Sequence, residues 1–362
     1  MYAWVFLALL VGAFAAYVVG ILVARVAPPR LAAVWVLACA VQLVPLAAPL
    51  LLSTDAWTYW DFGRIATVHG ANPYRSTPSD FPDDPAFPYV GTAWRHSTTV
   101  YGPAFTLASE PLARAAGTSA DAAAWIYKSI AALAVLAAAA LASRLSRRPA
   151  LALLFVGWNP LLAVHFGGGG HNDAWVALLV LCALAAAASG RRQLAGVSWA
   201  VGALVKWVPL VLLPLRAIEA RATGRRVGHW GFALAAIIVA AAAFARYGTG
   251  WLHAFGPLAR NANLETRYAL PHRLEQLGVP HGAAIALFAL AFLVAYAWLA
   301  REAWRGRARL GLATCALLLA LPYLVVWYIV WAVPLAAAED DETAALLSLV
   351  ICAYLLRQTI PL

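Results

Sequence analysis

The chain has 362 residues, 64% of them hydrophobic and only 12% charged, with a formal net charge of +10. No soluble domain has this balance; the class is an all-α polytopic membrane protein, because a backbone crossing lipid must satisfy its own hydrogen bonds. The positive charge does not point to nucleic acid, since most of it sits in short arginine-rich loops between apolar stretches.

At about 20 residues per crossing, the apolar stretches make roughly ten to twelve helical segments in a single integral-membrane domain, residues 1–362. The first stretch lacks a small-residue cleavage site and reads as a retained span. Spans over 3–24 and 31–52 flank Arg25 and Arg30, which the positive-inside rule places in the cytoplasm. Residues 53–120 then form a first external loop, rich in Pro, Asp and aromatics. A helix over 121–143 returns to Arg144, Arg147 and Arg148. Residues 149–166 lead out to "GGGGHND", and 173–189 lead back to Arg191 and Arg192.

The next stretch, 193–215, has arginines on both flanks, so it enters and leaves on one face. Lys206 and Pro209 near its middle predict two half-helices meeting at Lys206-Trp207. Such backbone at membrane depth is tolerated only inside protein or beside water, which puts Lys206 in a cavity. A span over 229–246 leads to a second external loop, 247–282. A later pair breaks outside at "LPYLVVWY", and the acidic run "EDDE", 339–342, falls inside. Cys39, Cys182, Cys315 and Cys352 are isolated in apolar stretches without CxxC spacing, and read as small hydrophobes rather than a disulfide frame or metal site. The alanine content and the preference for arginine over lysine point to a GC-rich bacterium, and the multi-pass chain is then expected in a bacterial plasma membrane.

The first loop opens with "STDAWTYWDFGR", 53–64, which sets Asp55 and Asp61 at the bilayer edge among Trp57, Tyr59 and Trp60. Aromatics alone form an interfacial belt; interleaved with acids they also describe a sugar-binding cleft. Helical spacing stacks Tyr59 on Asp55 and turns Trp57 toward lipid or protein. Asp61 and Arg64, three apart, suit an ion pair, so Asp61 reads as structural. Asp80, Asp83 and Asp84 in "SDFPDDP" read as turn acids. In the second loop, Arg267, His272 and Arg273 either grip an anion or make solvated pairs with Glu265 and Glu275. His165 and His171 bracket four glycines, whose backbone either admits an anion closely or makes a plain turn. With Asp173 their spacing fits no standard zinc pattern. Asn172 and Asp173 stand as acceptor-binding or loop-bracing groups.

Asp55 to Arg64 read D-x-W-x-Y-x-x-x-G-R. Asn72-Pro-Tyr74 and Tyr101-Gly-Pro103 follow, then "WNPLLAVHFGGGGHNDAW", "ALVKWVPLVLLPL" and "LPYLVVWYIVWAVPLAA". In this order the pieces resemble the GT-C glycosyltransferases, above all the bacterial polyprenyl-phosphate-mannose-dependent α-mannosyltransferases of the MptA/MptB-like group, related to PimE-type enzymes. The chain departs from the group in having Thr54-Asp55 where many members carry paired acids, and in having no proline before Trp327.

The resemblance implies a GT-C fold and an inverting transferase. Mannose would pass from a polyprenyl-phosphate donor to a hydroxyl of an envelope glycolipid or glycan, at the outer face, with no metal or other cofactor. Asp55 would be the general base. Arg267, Arg273, Lys206, His272 and His171 would hold the donor phosphate; Tyr59, Asn72, Tyr74, Tyr101, Asn172 and Asp173 would hold sugar and acceptor. Two alternatives stand beside it. One is the same chemistry with another lipid-linked sugar: arabinofuranose, glucose or an amino sugar. The other is a transporter or flippase, although the repeat-related broken helices expected of one are not found in the sequence.

Overall fold

Apolar segments without water partners must close their hydrogen bonds along the chain. The computed structural model describes residues 2–254 and 265–360, and all regular structure in them is helical. The α-helices are α1 (Tyr2–Val26), α2 (Leu31–Leu43), α3 (Asp55–Thr67), α4 (Pro103–Ala116), α5 (Ala120–Leu145), α6 (Pro149–Gly157), α7 (Pro160–Leu162), α8 (Asp173–Ala188), α9 (Arg192–Val205), α10 (Pro209–Ala222), α11 (His229–Tyr247), α12 (Leu270–Glu275), α13 (His281–Trp304), α14 (Leu310–Ala320), α15 (Val333–Ala338) and α16 (Glu342–Leu355).

The apolar stretches are unequal. Among the described residues four helices are long and apolar enough to cross a membrane: Tyr2–Val26, Ala120–Leu145, His229–Ala254 and His281–Trp304. The stretch expected as one span over 149–166 bends by 43° between Pro149–Gly157 and Pro160–Gly167. Pro160 cannot donate to the helix before it, and the Asn159 side chain caps the new start by accepting from the Leu161 and Leu162 amides. Shorter apolar helices fill the remainder. The alanine-rich α5 lies at the centre, packed against α6 and α8, with Ala131, Ala138, Ala139 and Ala142 fully buried. Small side chains let these backbones approach closely.

The two half-helices expected around Lys206 are present as α9 and α10. The helix stops where Lys206 turns extended (φ −157°, ψ 146°), and Pro209 opens the next. Their outer ends, Arg192 and Gln193 on one and Arg221 on the other, line one crevice together with Arg225 just beyond α10. The hairpin therefore starts and finishes at the same end of the molecule. Other arginine loops meet the acidic run: Arg147 pairs with Asp340 (3.3 Å), Arg148 with Glu342 (3.3 Å) and Arg309 with Asp341 (2.7 Å). The "EDDE" acids thus neutralise arginines of the loops with which they were expected to share a side.

The segment 53–120, expected as a loop, carries α3 and α4 packed on each other. Glu110 of α4 ties this unit to α11, accepting from Arg246 (2.8 Å) and the Tyr247 hydroxyl (2.7 Å). Asn72 and Tyr74, expected at the sugar site, are braces instead. Asn72 donates to the Tyr247 carbonyl (2.7 Å) and accepts from the Tyr74 amide, and Tyr74 is buried with its hydroxyl on the Tyr101 carbonyl and Thr106. A short asparagine side chain satisfies its own turn before it can reach a ligand.

Candidate active site

Leu52 sits at φ +64°, in the left-handed region that a branched side chain disfavours, just before α3 begins at Asp55. That turn delivers Asp55 to the wall of a cavity of about 760 Å³. Oδ2 of Asp55 accepts from the Tyr59 hydroxyl (3.3 Å) and meets Nδ1 of His171 at 3.1 Å. A carboxylate only accepts, so the proton lies on Nδ1. Neither contact uses Oδ1. Burial pushes the Asp55 carboxyl up, but the His171 hydrogen bond and the His171 and Lys206 charges outweigh it. They hold the group below the usual carboxylate range, ionised at neutral pH.

Lys206 lines the same cavity. Its ammonium pairs with Oδ1 of Asp173 at 2.7 Å and lies 4.7 Å and 5.3 Å from the ring centroids of Tyr328 and Trp331. Gly102 brings this half of the wall to the other. A Cβ on Gly102 would stand 2.0 Å from the Leu204 carbonyl, and its amide donates to the Val205 carbonyl (3.1 Å), so only glycine lets Tyr101 reach the broken helix at Lys206.

The stretch from His165 to Asp173 lies behind the cavity. Gly170 stands at φ +72°, and the whole glycine run is buried against Gln42, Leu51, Ala56 and Lys128. It is a close-packed turn rather than an anion cradle. His171, expected on the donor phosphate, is buried and stacked on Trp327 at 3.8 Å, where it orients Asp55. Asp173 and Asn172, considered for the acceptor, are buried too; Asp173 holds Lys206. Tyr59 and Trp57 exchange their expected places. Tyr59 is buried among Tyr101, Phe105 and Tyr127, while Trp57 lines the cavity and donates to the Ala120 carbonyl. Burial inside the α3–α4–α5 packing, which helical spacing on α3 alone cannot reveal, decides this.

Arg267, Arg273 and His272 are not among the cavity-lining residues. Arg273 binds Gln276 (2.8 Å) and stacks over Tyr268, Arg267 is exposed, and His272 faces Glu265 and Glu275. Of the five expected phosphate ligands, the geometry leaves Lys206 at the cavity.

Arg64 does not pair with Asp61. Its guanidinium makes a two-pronged contact with Asp84 (2.7 and 3.1 Å) and donates to the Gly117 carbonyl, and His69 meets Asp84 at 2.6 Å. Asp84, read as a solvated turn acid, is buried; it also accepts from the Ala86 amide. Asp61 remains buried with Oδ2 lacking a hydrogen-bond partner among the described residues. Burial and the neighbouring Asp84 charge, partly offset by Arg64, push its carboxyl up to about 7. The folded chain therefore binds a proton that the unfolded chain has released. Stability falls as pH rises from the ordinary carboxylate range to about 7, and the full cost is present above that. Asp61→Asn is expected to raise the melting temperature by several degrees at pH 8 and to change it little at pH 4. A lower melting temperature at pH 8 would restore Asp61 as a stabilising partner.

Residues 1–221 match the family model described as Alpha-(1->6)-mannopyranosyltransferase, N-terminal domain, more than half of the chain. The chain belongs to this family. It is 26% identical to an alpha-(1->6)-mannopyranosyltransferase of Mycobacterium tuberculosis, across 81% of this chain and 63% of that protein. It is 29% identical to alpha-(1->6)-mannopyranosyltransferase A of the same organism, across 67% and 49%, and 31% identical to the A protein of Corynebacterium glutamicum, across 48% and 36%. The chain thus spans less than two thirds of the length of these relatives. No solved structure matches it.

The family match ends near the close of α10, yet Tyr323, Trp327 and Tyr328 from beyond it complete the cavity wall, as does Trp94. The sequence did carry a signal for the late group: aromatics massed at a break between two apolar helices. Trp94 had none.

Proposed function

We propose that the chain is a mannosyltransferase that moves a mannosyl unit, with inversion, from a polyprenyl-phosphate donor to an acceptor hydroxyl on the outer membrane face. The observation that carries this reading is one cavity offering an oriented carboxylate, Asp55, and an ammonium, Lys206, between aromatic and aliphatic walls. Asp55 takes the proton from the acceptor hydroxyl as its oxygen attacks the anomeric carbon. The bond to the donor phosphate breaks, and Lys206 meets the charge that develops on the leaving oxygen. His171 and Tyr59 fix the carboxylate, and Asp173 with the Tyr328 and Trp331 rings fixes the ammonium. Trp57, Trp94 and Trp327 offer flat apolar faces to the sugar, and Leu50, Leu52 and Leu321 offer a path for the lipid chain. The family supports the sugar, and the ionic pair supports a phosphate leaving group without requiring a metal or other cofactor.

The test is transfer by the purified chain with defined polyprenyl-phosphate sugars and a mannose-terminated acceptor. Lys206→Met is expected to raise the donor concentration needed by about ten- to a hundred-fold, the worth of one hydrogen bond to a charged group at roughly 1.5–3 kcal/mol. Unchanged donor use would move the phosphate site away from Lys206. The arginine loops support the outer-face placement. An Asp83→Cys variant in intact cells is expected to react with an impermeant maleimide and a Thr223→Cys variant to resist it; the reverse pattern would put the site in the cytoplasm.

A further inference from the structure

The second external loop carries four metal-ligating side chains that the transfer reaction does not use. Glu265 precedes α12, His272 and Glu275 lie on it, and His281 opens α13. Nδ1 of His272 lies 3.1 Å from Glu265 and 3.6 Å from Glu275; Nδ1 of His281 lies 3.1 Å from Glu265 and 2.7 Å from Glu275. Each imidazole nitrogen thus faces both carboxylates, closing a ring of alternating donors. The ligand atoms of Glu265, His272 and Glu275 all lie within 4.8 Å of one another.

Hydrogen bonds satisfy only part of this ring: His272 Nδ1 bonds Glu265 Oε2 (3.1 Å) and His281 Nδ1 bonds Glu275 Oε1 (2.7 Å). A ring nitrogen carries one proton or one lone pair and can serve one carboxylate well, not two. Oε1 of Glu265 is buried and accepts no hydrogen bond among the described residues, although His281 Nδ1 is 3.1 Å away. A close approach without hydrogen-bond geometry between two good ligands is what a shared cation resolves.

We propose that Glu265, His272, Glu275 and His281 bind one divalent transition-metal ion. Two imidazoles and two carboxylates match Zn²⁺, whereas Ca²⁺ and Mg²⁺ prefer oxygen throughout. The site holds a wall of the cavity rather than taking part in transfer. Thr266, next to Glu265, donates its amide to the Pro322 carbonyl (3.1 Å) and its hydroxyl to the Leu324 carbonyl (2.7 Å), and Pro322 and Tyr323 line the cavity. A cation joining Glu265 to α12 and α13 would lock this segment in place.

The experiment uses the full chain in detergent, stripped with a chelator and titrated with Zn²⁺ in a calorimeter. One equivalent is expected to bind, with Mg²⁺ and Ca²⁺ failing to displace it. The His272→Ala/Glu275→Gln double variant should bind at least ~10-fold more weakly. Because that variant can lose its loop structure, the unmutated chain supplies a second readout. Zn²⁺ should protect His272 and His281 from diethylpyrocarbonate, mapped by mass spectrometry, while exposed His229 stays reactive. No saturable Zn²⁺ binding, equal affinity in the double variant, or protection that ignores His272 and His281 would each overturn the site.

Discussion

Purified Asp55→Asn protein is expected to transfer sugar about 10²–10⁴-fold more slowly than the parent, the usual cost of losing a general base. The amide keeps the shape of the carboxylate, so Tyr59 and His171 still have an oxygen to bind. Donor binding and yield should stay near normal, because the donor contacts proposed for Lys206 and the aromatic wall are untouched. Oδ2 of Asp55 is occupied by two donors and its carboxyl is held below the usual range, so the parental group is already ionised at neutral pH. The parental rate should therefore show no fall attributable to Asp55 until pH drops into the acid range. Single-turnover rates with saturating donor separate chemistry from binding. Transfer at the parental rate by Asp55→Asn would remove the base from Asp55. Asp61 would not replace it, since it is buried away from the cavity lining.

The largest effect on stability is expected at the Arg64–Asp84 pair. Both side chains are almost fully buried, and they join α3 to the turn over 78–90 with a two-pronged contact. Removing one partner of such a pair leaves a buried charge without compensation and costs about 3–5 kcal/mol. Arg64→Met is therefore expected to lower the melting temperature sharply and to reduce the monodisperse fraction on size-exclusion chromatography. Asp84→Asn should do the same, with His69 losing its partner as well. Arg64→Met/Asp84→Leu removes both charges together and should recover much of the loss, because apolar packing replaces the pair. Equal damage in the single and double variants would show that the shape of the guanidinium, not charge pairing, holds the turn.

The sequence by itself determined the class of the protein, the succession of its apolar segments, and the helix breaks at Lys206 and after Ala320, but not the bend at Pro160 or the helices α3 and α4 within 53–120. Apolar runs, arginine loops and prolines act locally: a run of some 20 apolar residues has few conformations open to it in lipid, and Lys206 with Pro209 interrupts a helix whatever surrounds it. The place of Asp55 at the cavity wall was legible for the same reason, as a charge set at the end of an apolar run. What only the tertiary structure decided is which charges meet. Asp61 and Arg64 are well spaced for a pair, yet Arg64 binds Asp84, twenty residues on, because the 78–90 turn folds back over α3. Asn172 and Asp173 read as acceptor-binding or loop-bracing groups and His171 as a ligand for the donor phosphate; the turn at Gly170 buries all three, so that Asp173 holds Lys206 and His171 holds Asp55. Arg267, Arg273 and His272 form a cluster in sequence that is not part of the cavity lining. Ion pairs and hydrogen bonds depend on distances of a few ångströms between segments remote in the chain, and spacing along one segment holds no information about them.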